Sequence, residues 1–314
     1  MAELHRRGRQ VELWHGNARE QACDALIFSK VYDDRAYEVA REMNSRGTRV
    51  LLDLCDNHWF GEEDHPAVRA RAQRLEHMLD CVDLVTASTA TLARQISARF
   101  GIAQGRIAVV PDPVVAPALP ALSLRGRMDL ALLRHHLRLH QGSYHLIWFG
   151  NHGAGHVRSG MGDLDRVRSI IESDASLTLT VVSNSAKKFR ELFRDWCIPT
   201  HYVPWRLDTI DSVLALHDCA VIPITSNPFT EAKTMNRPAT ALMAGLDVFA
   251  DRIPSYDELS PFIALDAWQN LHQRPVSKEL VHDRVQAAQA YLMEYYSPSR
   301  VATRWTEVVE LALA

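Results

Sequence analysis

Apolar runs of strand length alternate with helix-length amphipathic segments along most of the chain, and this alternation restricts the fold more than any other feature. DALIFSK (24–30), RVLLDLC (49–55), DLVTAST (83–89) and IAVVPDPV (107–114) form a first series. Between them DDRAYEVAREMNSRG, HPAVRARAQRLEHMLD and TLARQISARF have helical periodicity. Ser88 or Thr89 can cap the last of these, and Gly47 and Gly101 close the first and third. A second series runs through YHLIWFGN (144–151), LTLTVVSN (177–184), HYVPW (201–205), CAVIPI (219–224) and LDVFA (246–250). Helices are expected at about 163–174, after a Ser185 cap over 186–196, over 207–218, and at about 277–294 and 299–313. Such alternation predicts parallel sheets covered by helices, an α/β fold of doubly wound type. VELWH (11–15) is expected as an added edge strand.

Residues 111–143 interrupt the rhythm. PDPVVAPALPALSL is proline-rich and reads as a linker. With 314 residues, two domains are expected: 1–115, then a linker and basic amphipathic helix over 116–143, then 144–314. The helix MDLALLRHHLRLH spaces Leu130, Leu133 and Leu137 on one side, with Arg134, His135, His136, Arg138 and His140 around them. Such a stretch packs at a domain junction, or lies on a membrane surface or an acidic partner, so peripheral membrane contact through 128–140 is one expectation. No carboxylate or thiol joins its histidines, which argues against a metal site.

Hydrophobic content of 47% and charged content of 23% suit a soluble globular protein, and a net charge of −3 gives no reason to expect bulk nucleic-acid binding. No apolar run has the length of a membrane span, and MAELHRRGRQ has no signal-peptide core. Cys23, Cys55, Cys81, Cys197 and Cys219 form no CxxC pair and read as reduced thiols. These features predict a cytoplasmic protein.

In parallel sheets, ligands bind beyond the carboxyl ends of the strands. In the first series that place holds Asp56 and His58, two residues apart, which suit an acid–base pair for an acceptor hydroxyl or, equally, a capped turn with a packed histidine. Asp53 is expected to point into the sheet or support the loop, and Asp112 to be a turn residue. In the second series Gly150, Asn151, His152, Gly153 and Gly155 follow the first strand, where glycines let backbone N–H groups approach a phosphate or a sugar. Asn184, Ser185, Lys187 and Lys188 follow the next, the lysines reading as helix-surface charges, and Trp205 offers a flat face for a nucleobase or a core side chain. Neither GxGxxG nor a Walker loop is present, which disfavours a dehydrogenase.

Between CAVIPI and LDVFA lies TSNPFTEAKTMNRPATALMAG (225–245), with Lys233, Thr234, Asn236 and Arg237 ahead of Pro238, a good first-turn residue. A cationic loop feeding a helix N-terminus suits phosphate; the same residues also suit a solvated charged turn.

CAVIPI followed by KTMNRPATALMAGLDVFADRIPSYDEL resembles the carboxy-terminal domain of GT-B-fold glycosyltransferases of the broad family 4 group. LIWFGN is similar to that domain's opening strand and glycine loop, and DLVTASTATLARQI with IAVVPDPV to the end of the amino-terminal domain. The likeness is good over about 144–262 and fair over about 25–115. It implies two Rossmann-like domains facing across a cleft, the first for the acceptor and the second for a nucleotide-sugar, UDP- or GDP-linked, with the last helix crossing back to the first domain. It further implies that Lys233, Thr234, Asn236 and Arg237 hold the donor diphosphate without an essential metal or other cofactor. Many members carry two glutamates eight positions apart; aligned on Gly245, those places hold Ala232 and Thr240, with Glu231 beside the first. The amino-terminal domain is also short, and the family's first strand and glycine loop are hard to find near residues 1–20.

The resulting expectation is transfer of a sugar to an acceptor hydroxyl, with Asp56, His58, Lys233 and Arg237 in the chemistry. Gly150, Asn151, His152, Gly153, Asn184, Trp205, Thr234, Asn236 and Thr240 would hold the donor. The altered glutamate positions keep a catalytically silent nucleotide-binding or partner subunit as the alternative, with a sugar epimerase of similar architecture as a third.

Overall fold

The structure, a computed structural model, describes residues 2–6, 8–14, 23–118, 120–153, 159–273 and 278–314. It divides into two compact units. The first comprises Met1–Pro113, Asn227–Thr234 and Glu294–Ala314; the second comprises Val114–Ser226 and Met235–Met293.

After the short helix α1 (Ala2–Arg6), the first unit is built on four parallel strands: β1 (Ala25–Ser29), β2 (Arg49–Leu54), β3 (Leu84–Ala87) and β4 (Ile107–Val109), ordered β1-β2-β3-β4. Their connections are α2 (Asp34–Ser45), α3 (Pro66–Asp80) and α4 (Ala90–Phe100). Two of these helices start where short polar side chains replace missing backbone acceptors: Asp33 accepts from Ala36 N and Thr89 from Leu92 N. Gly101 ends α4 at φ +68°, a conformation that favours glycine.

Side chains along β2 alternate between two cores. Val50, Leu52 and Leu54 join Met43, Leu75 and Leu79 on one face. Leu51 joins Val301 and Val308 on the other, so the helix spanning Pro298–Leu313 covers the second face of this sheet. Of the edge strand expected over 11–15, residues 11–14 pair with no strand among the described residues. Leu13 is exposed, so extending the sheet there would bury little apolar surface, and Trp14 instead packs sideways against the first core; His15 lies outside the described residues. The strand expected over 107–114 stops at Val109, ahead of Pro111 and Pro113, which have no N–H to donate.

The second unit begins with α5 (Leu124–Leu139), capped by Ser123, and continues with β5 (Tyr144–Phe149), α6 (Arg168–Glu172), β6 (Leu177–Ser183), α7 (Ala186–Leu192), β7 (Thr200–Pro204), α8 (Ile210–Leu214) and β8 (Cys219–Ile222). α9 (Pro228–Glu231) belongs to the first unit, after which come α10 (Asn236–Met243), β9 (Asp247–Ala250), β10 (Ala264–Leu265) and α11 (Lys278–Tyr296), whose last residues, like α12 (Pro298–Leu313), belong to the first unit. All six strands are parallel, in the order β10-β9-β8-β5-β6-β7. The order reverses between β5 and β8, and such a switch point opens a crevice beyond the strand ends. β6 is buried throughout, Thr178, Thr180 and Ser183 included, as expected for a parallel strand covered on both faces. The helix expected at about 163–174 is a tighter 3-10 turn over Met161–Val167 leading into α6. All five cysteines are free thiols.

Candidate functional site

In the first unit, Asp53 sits within β2 and its carboxylate accepts from Ser29 and Thr86, each at 2.8 Å, so it ties three strands together. Beyond the strand ends lies a compact polar group. Its assembly depends on the segment 227–234. Asn227 caps α9 by accepting from the Phe229 and Thr230 backbone N–H groups at 3.0 and 3.1 Å. Gln95 of α4 donates to the Pro228 carbonyl, and Thr89 donates to the Ala232 carbonyl at 3.0 Å. Ala232 is fully buried in the first unit's core, where a longer charged side chain would be stranded.

This anchoring carries Lys233 to Asp56, with Nζ 2.5 Å from Oδ1 and 4.1 Å from the Phe229 ring centroid. The second Asp56 oxygen receives the Cys55 thiol at 3.6 Å and lies 3.9 Å from His58 Nε2. Burial alone would raise the Asp56 carboxyl, but His58 and the Lys233 ammonium more than offset it and hold the group well below the usual carboxylate range. His58 Nδ1 meets the Tyr32 hydroxyl at 2.5 Å. Burial pushes that phenol up to about 12, so it keeps its proton at neutral pH. Lys30 adopts φ +60°, uncommon for a residue with a side chain. Its hydrogen bond with Cys55, and then the charges of Asp56 and Asp112, raise its ammonium. Burial pushes the Cys55 thiol up to about 11, despite Lys30 beside it. Asp56 is therefore an anion clasped by lysine, beside a neutral thiol and a histidine steered by tyrosine.

In the second unit, β5 delivers Gly150–Gly153 to the switch point. His152 N and Nδ1 both approach Asn184 Oδ1, at 3.0 and 2.7 Å. The backbone N–H identifies that atom as the oxygen acceptor, so Nδ1 is the donor of the second contact and Nε2 faces away from Asn184. Lys188 Nζ donates to the His152 carbonyl at 2.7 Å, so this lysine braces the glycine loop while Lys187 remains an exposed helix charge. The loop closes on itself at Gly160, φ +98°, where a Cβ would stand 2.7 Å from the Asn151 carbonyl oxygen and from Gly153 N. Asp163 accepts from Gly160 N and from the Thr225 hydroxyl, at 2.9 and 2.6 Å, linking the loop to the end of β8. Burial raises the Asp163 carboxyl, and Thr225, Gly160 and the Arg237 charge counter it.

Arg237, in the first turn of α10, also interacts with the buried Tyr256 hydroxyl. A Cβ on Gly150 would come within 3.6 Å of Arg237 Nη1, so the guanidinium lies against the glycine loop. Gly245 ends this segment at φ +90°. Trp205 follows β7, the edge strand, with half its surface exposed. Thr240 is half-buried in α10.

Of the sequence-predicted residues, Asp56, His58 and Lys233 come together in the first unit, and Gly150, Asn151, His152, Gly153, Asn184 and Arg237 in the second. Lys233 and Thr234 belong to the first unit and Asn236 and Arg237 to the second, so the expected cationic loop is divided between them. Gly155 lies outside the described residues. Sequence reasoning missed Tyr32, Lys30, Asp163, Thr225 and Tyr256, and gave Lys188 a surface role. Thr225 and Asp163 had a usable signal, each closing a strand end or glycine loop; Tyr32 had none. Among the described residues no group of three or more His, Cys, Asp or Glu side chains is arranged to hold a metal ion.

No protein-family model matches the chain, and no curated protein matches it. Solved structures do. A glycosyltransferase from Rickettsia africae ESF-5 shares the fold over 92% of this chain and 77% of its own, with a TM-score of 0.64 and 11% identity. A structure of trehalose-6-phosphate from E. coli, bound with UDP-2-fluoro glucose, covers 92% of this chain and 74% of its own, at TM-score 0.63 and 11% identity. A UDP-forming alpha,alpha-trehalose-phosphate synthase from Burkholderia xenovorans covers 93% and 74%, at 0.63 and 9%. The fold is thus that of GT-B proteins, with two Rossmann-like units carrying parallel sheets of four and six strands.

Proposed function

We propose that the chain is a glycosyltransferase that moves a sugar from a UDP- or GDP-sugar to an acceptor hydroxyl. The observation that carries this reading is Arg237 lying against Gly150 at the switch point of the second sheet. A fixed cation, the first turn of α10 and a glycine loop converge where a diphosphate would sit. The fold likeness to glycosyltransferase structures, one of them bound with UDP-2-fluoro glucose, supports the same reading.

In this mechanism the Gly150–Gly153 backbone and Arg237 hold the donor phosphates, aided by Asn236. His152 Nε2 and Asn184 orient the sugar hydroxyls, Trp205 stacks on the base, and the Thr240 hydroxyl serves where related chains place a carboxylate. As the anomeric carbon–oxygen bond to phosphate breaks, charge grows on the diphosphate, and Arg237 stabilises it without reorganising. Asp56 accepts a hydrogen bond from the acceptor hydroxyl through Oδ2, in place of the long contact with the Cys55 thiol. The hydroxyl oxygen forms the new glycosidic bond, and its proton passes to a donor phosphate oxygen if configuration is retained, or to the Asp56–His58 pair if it inverts.

The test is incubation with a panel of nucleotide-sugars, reading nucleoside diphosphate release and product mass. Lys233→Ala and Arg237→Ala are each expected to abolish transfer while the protein stays folded; full activity in both variants overturns the assignment.

A further inference from the structure

The apolar side of α5 anticipated from Leu130, Leu133 and Leu137 faces inward: all three are buried, together with Gly126. Its opposite side carries a second apolar stripe. Leu124, Met128, Leu132 and Leu139 fall on one face at helical spacing, and each is between 59% and 76% exposed. Arg125 flanks the stripe on one side, and Arg127, Arg134 and Arg138 on the other. None of these four arginines pairs with a carboxylate among the described residues, and the one acid of the helix, Asp129, is taken by Arg206 at 2.9 Å. Arg134 and Arg138 also border an open cavity of about 620 Å³ whose walls include His145, Leu137 and Leu216.

We infer that the outward face of α5 is a docking surface for an anionic lipid bilayer. The stripe runs about 22 Å along the helix, long enough for α5 to lie in the membrane plane with its leucines and methionine below the headgroups. Arginines on both flanks reach lipid phosphates while their stems cover apolar surface. The cavity beside Arg134 and Arg138 offers cations for a headgroup phosphate next to apolar walls for the start of an acyl chain. The uncompensated positive charge selects an anionic surface over a neutral one. Among the described residues no helix is long and apolar enough to cross a membrane, so the contact is peripheral. This inference does not depend on sugar transfer.

The test uses the full chain and vesicles of phosphatidylcholine, alone or mixed with phosphatidylglycerol, in a sedimentation assay. The protein is expected to sediment with the anionic vesicles, not with the neutral ones, and to be released by salt. Two double variants, Met128→Ser with Leu132→Ser and Arg134→Glu with Arg138→Glu, are each expected to lower partitioning about tenfold or more while circular dichroism is unchanged. All four side chains point away from the core, so loss of fold is not expected. Absence of binding by folded wild-type protein overturns the inference, as does wild-type binding by both double variants. So does a concentration-dependent dimer that the serine variants dissolve without any vesicle association, or equal binding to polyglutamate by the serine variants and the wild type.

Discussion

The Lys233 ammonium lies 2.5 Å from Oδ1 of Asp56, although 177 positions separate the two residues in the chain. Both belong to the first unit, because the segment 227–234 folds there. Lys233 thus acts first on a carboxylate. Together with His58 it keeps Asp56 charged, and it occupies Oδ1.

Each side chain of that pair is about one-third exposed, so solvent screening limits its strength. A double-mutant cycle with Lys233→Ala and Asp56→Ala should give a coupling of about 1 kcal/mol that shrinks in high salt. A cycle reading zero at low salt would show that the contact has no energetic weight.

Tyr32 meets His58 Nδ1 and keeps its proton well above neutral pH, so it sets the ring's orientation from outside the reacting atoms. If His58 handles the acceptor's proton, His58→Ala should lower kcat by about a hundredfold or more. Tyr32→Phe should lower it less and shift the pH–rate profile, leaving the donor KM unchanged. Equal donor KM changes in both variants would instead place these residues in donor binding.

Gly160 has positive φ and no room for a side chain, with the Asn151 carbonyl and Gly153 backbone on its Cβ side. Gly160→Ala should destabilise the second unit by about 2 kcal/mol or more and weaken nucleotide-sugar binding, because the glycine loop must open. Calorimetry together with a donor titration measures both.

His136 stacks on His201 with ring centroids 4.8 Å apart, and its buried Nε2 has no hydrogen-bond partner among the described residues. Burial, then the charges of His201, His140, His145 and His135, hold its pKa down to about 4 against an ordinary 6.5. Burial likewise brings His217 down to about 3. The unfolded chain binds these protons first, so their stabilising contribution is complete above pH 6.5 and is lost as pH falls toward 4. His136→Phe keeps the stacking and removes the titration. Its unfolding transition should depend less steeply on pH through that window and lie higher at pH about 5. An unchanged slope would remove His136 from the account.

Strand positions were legible because β8 and β9 lie in short runs rich in Val, Ile and Phe, and helix starts because Thr89 and Ser185 cap helices as their chemistry requires, whereas α5 begins behind Ser123, inside what reads as linker. Asp56 and His58 were legible as a pair from their place beyond β2. Their partners were not, since a contact across 177 positions leaves no local trace. The stretch around Lys233 reads as one cationic loop along the sequence, yet the burial of Ala232 and the cap at Asn227 commit its first half to the first unit. The opposite error arose at Lys188, where helix periodicity indicates a surface charge and a backbone carbonyl from another loop claims it.

Because three separate stretches of chain compose the first unit, the polypeptide changes unit at 113/114, 226/227, 234/235 and 293/294. No single cut therefore releases a complete domain. A fragment ending at Pro113 lacks Ala232 from its core, Lys233 from Asp56 and α12 from the second face of its sheet. For anyone dissecting, permuting or shuffling this protein, a module boundary drawn on the linear map cuts through the first unit's own interior.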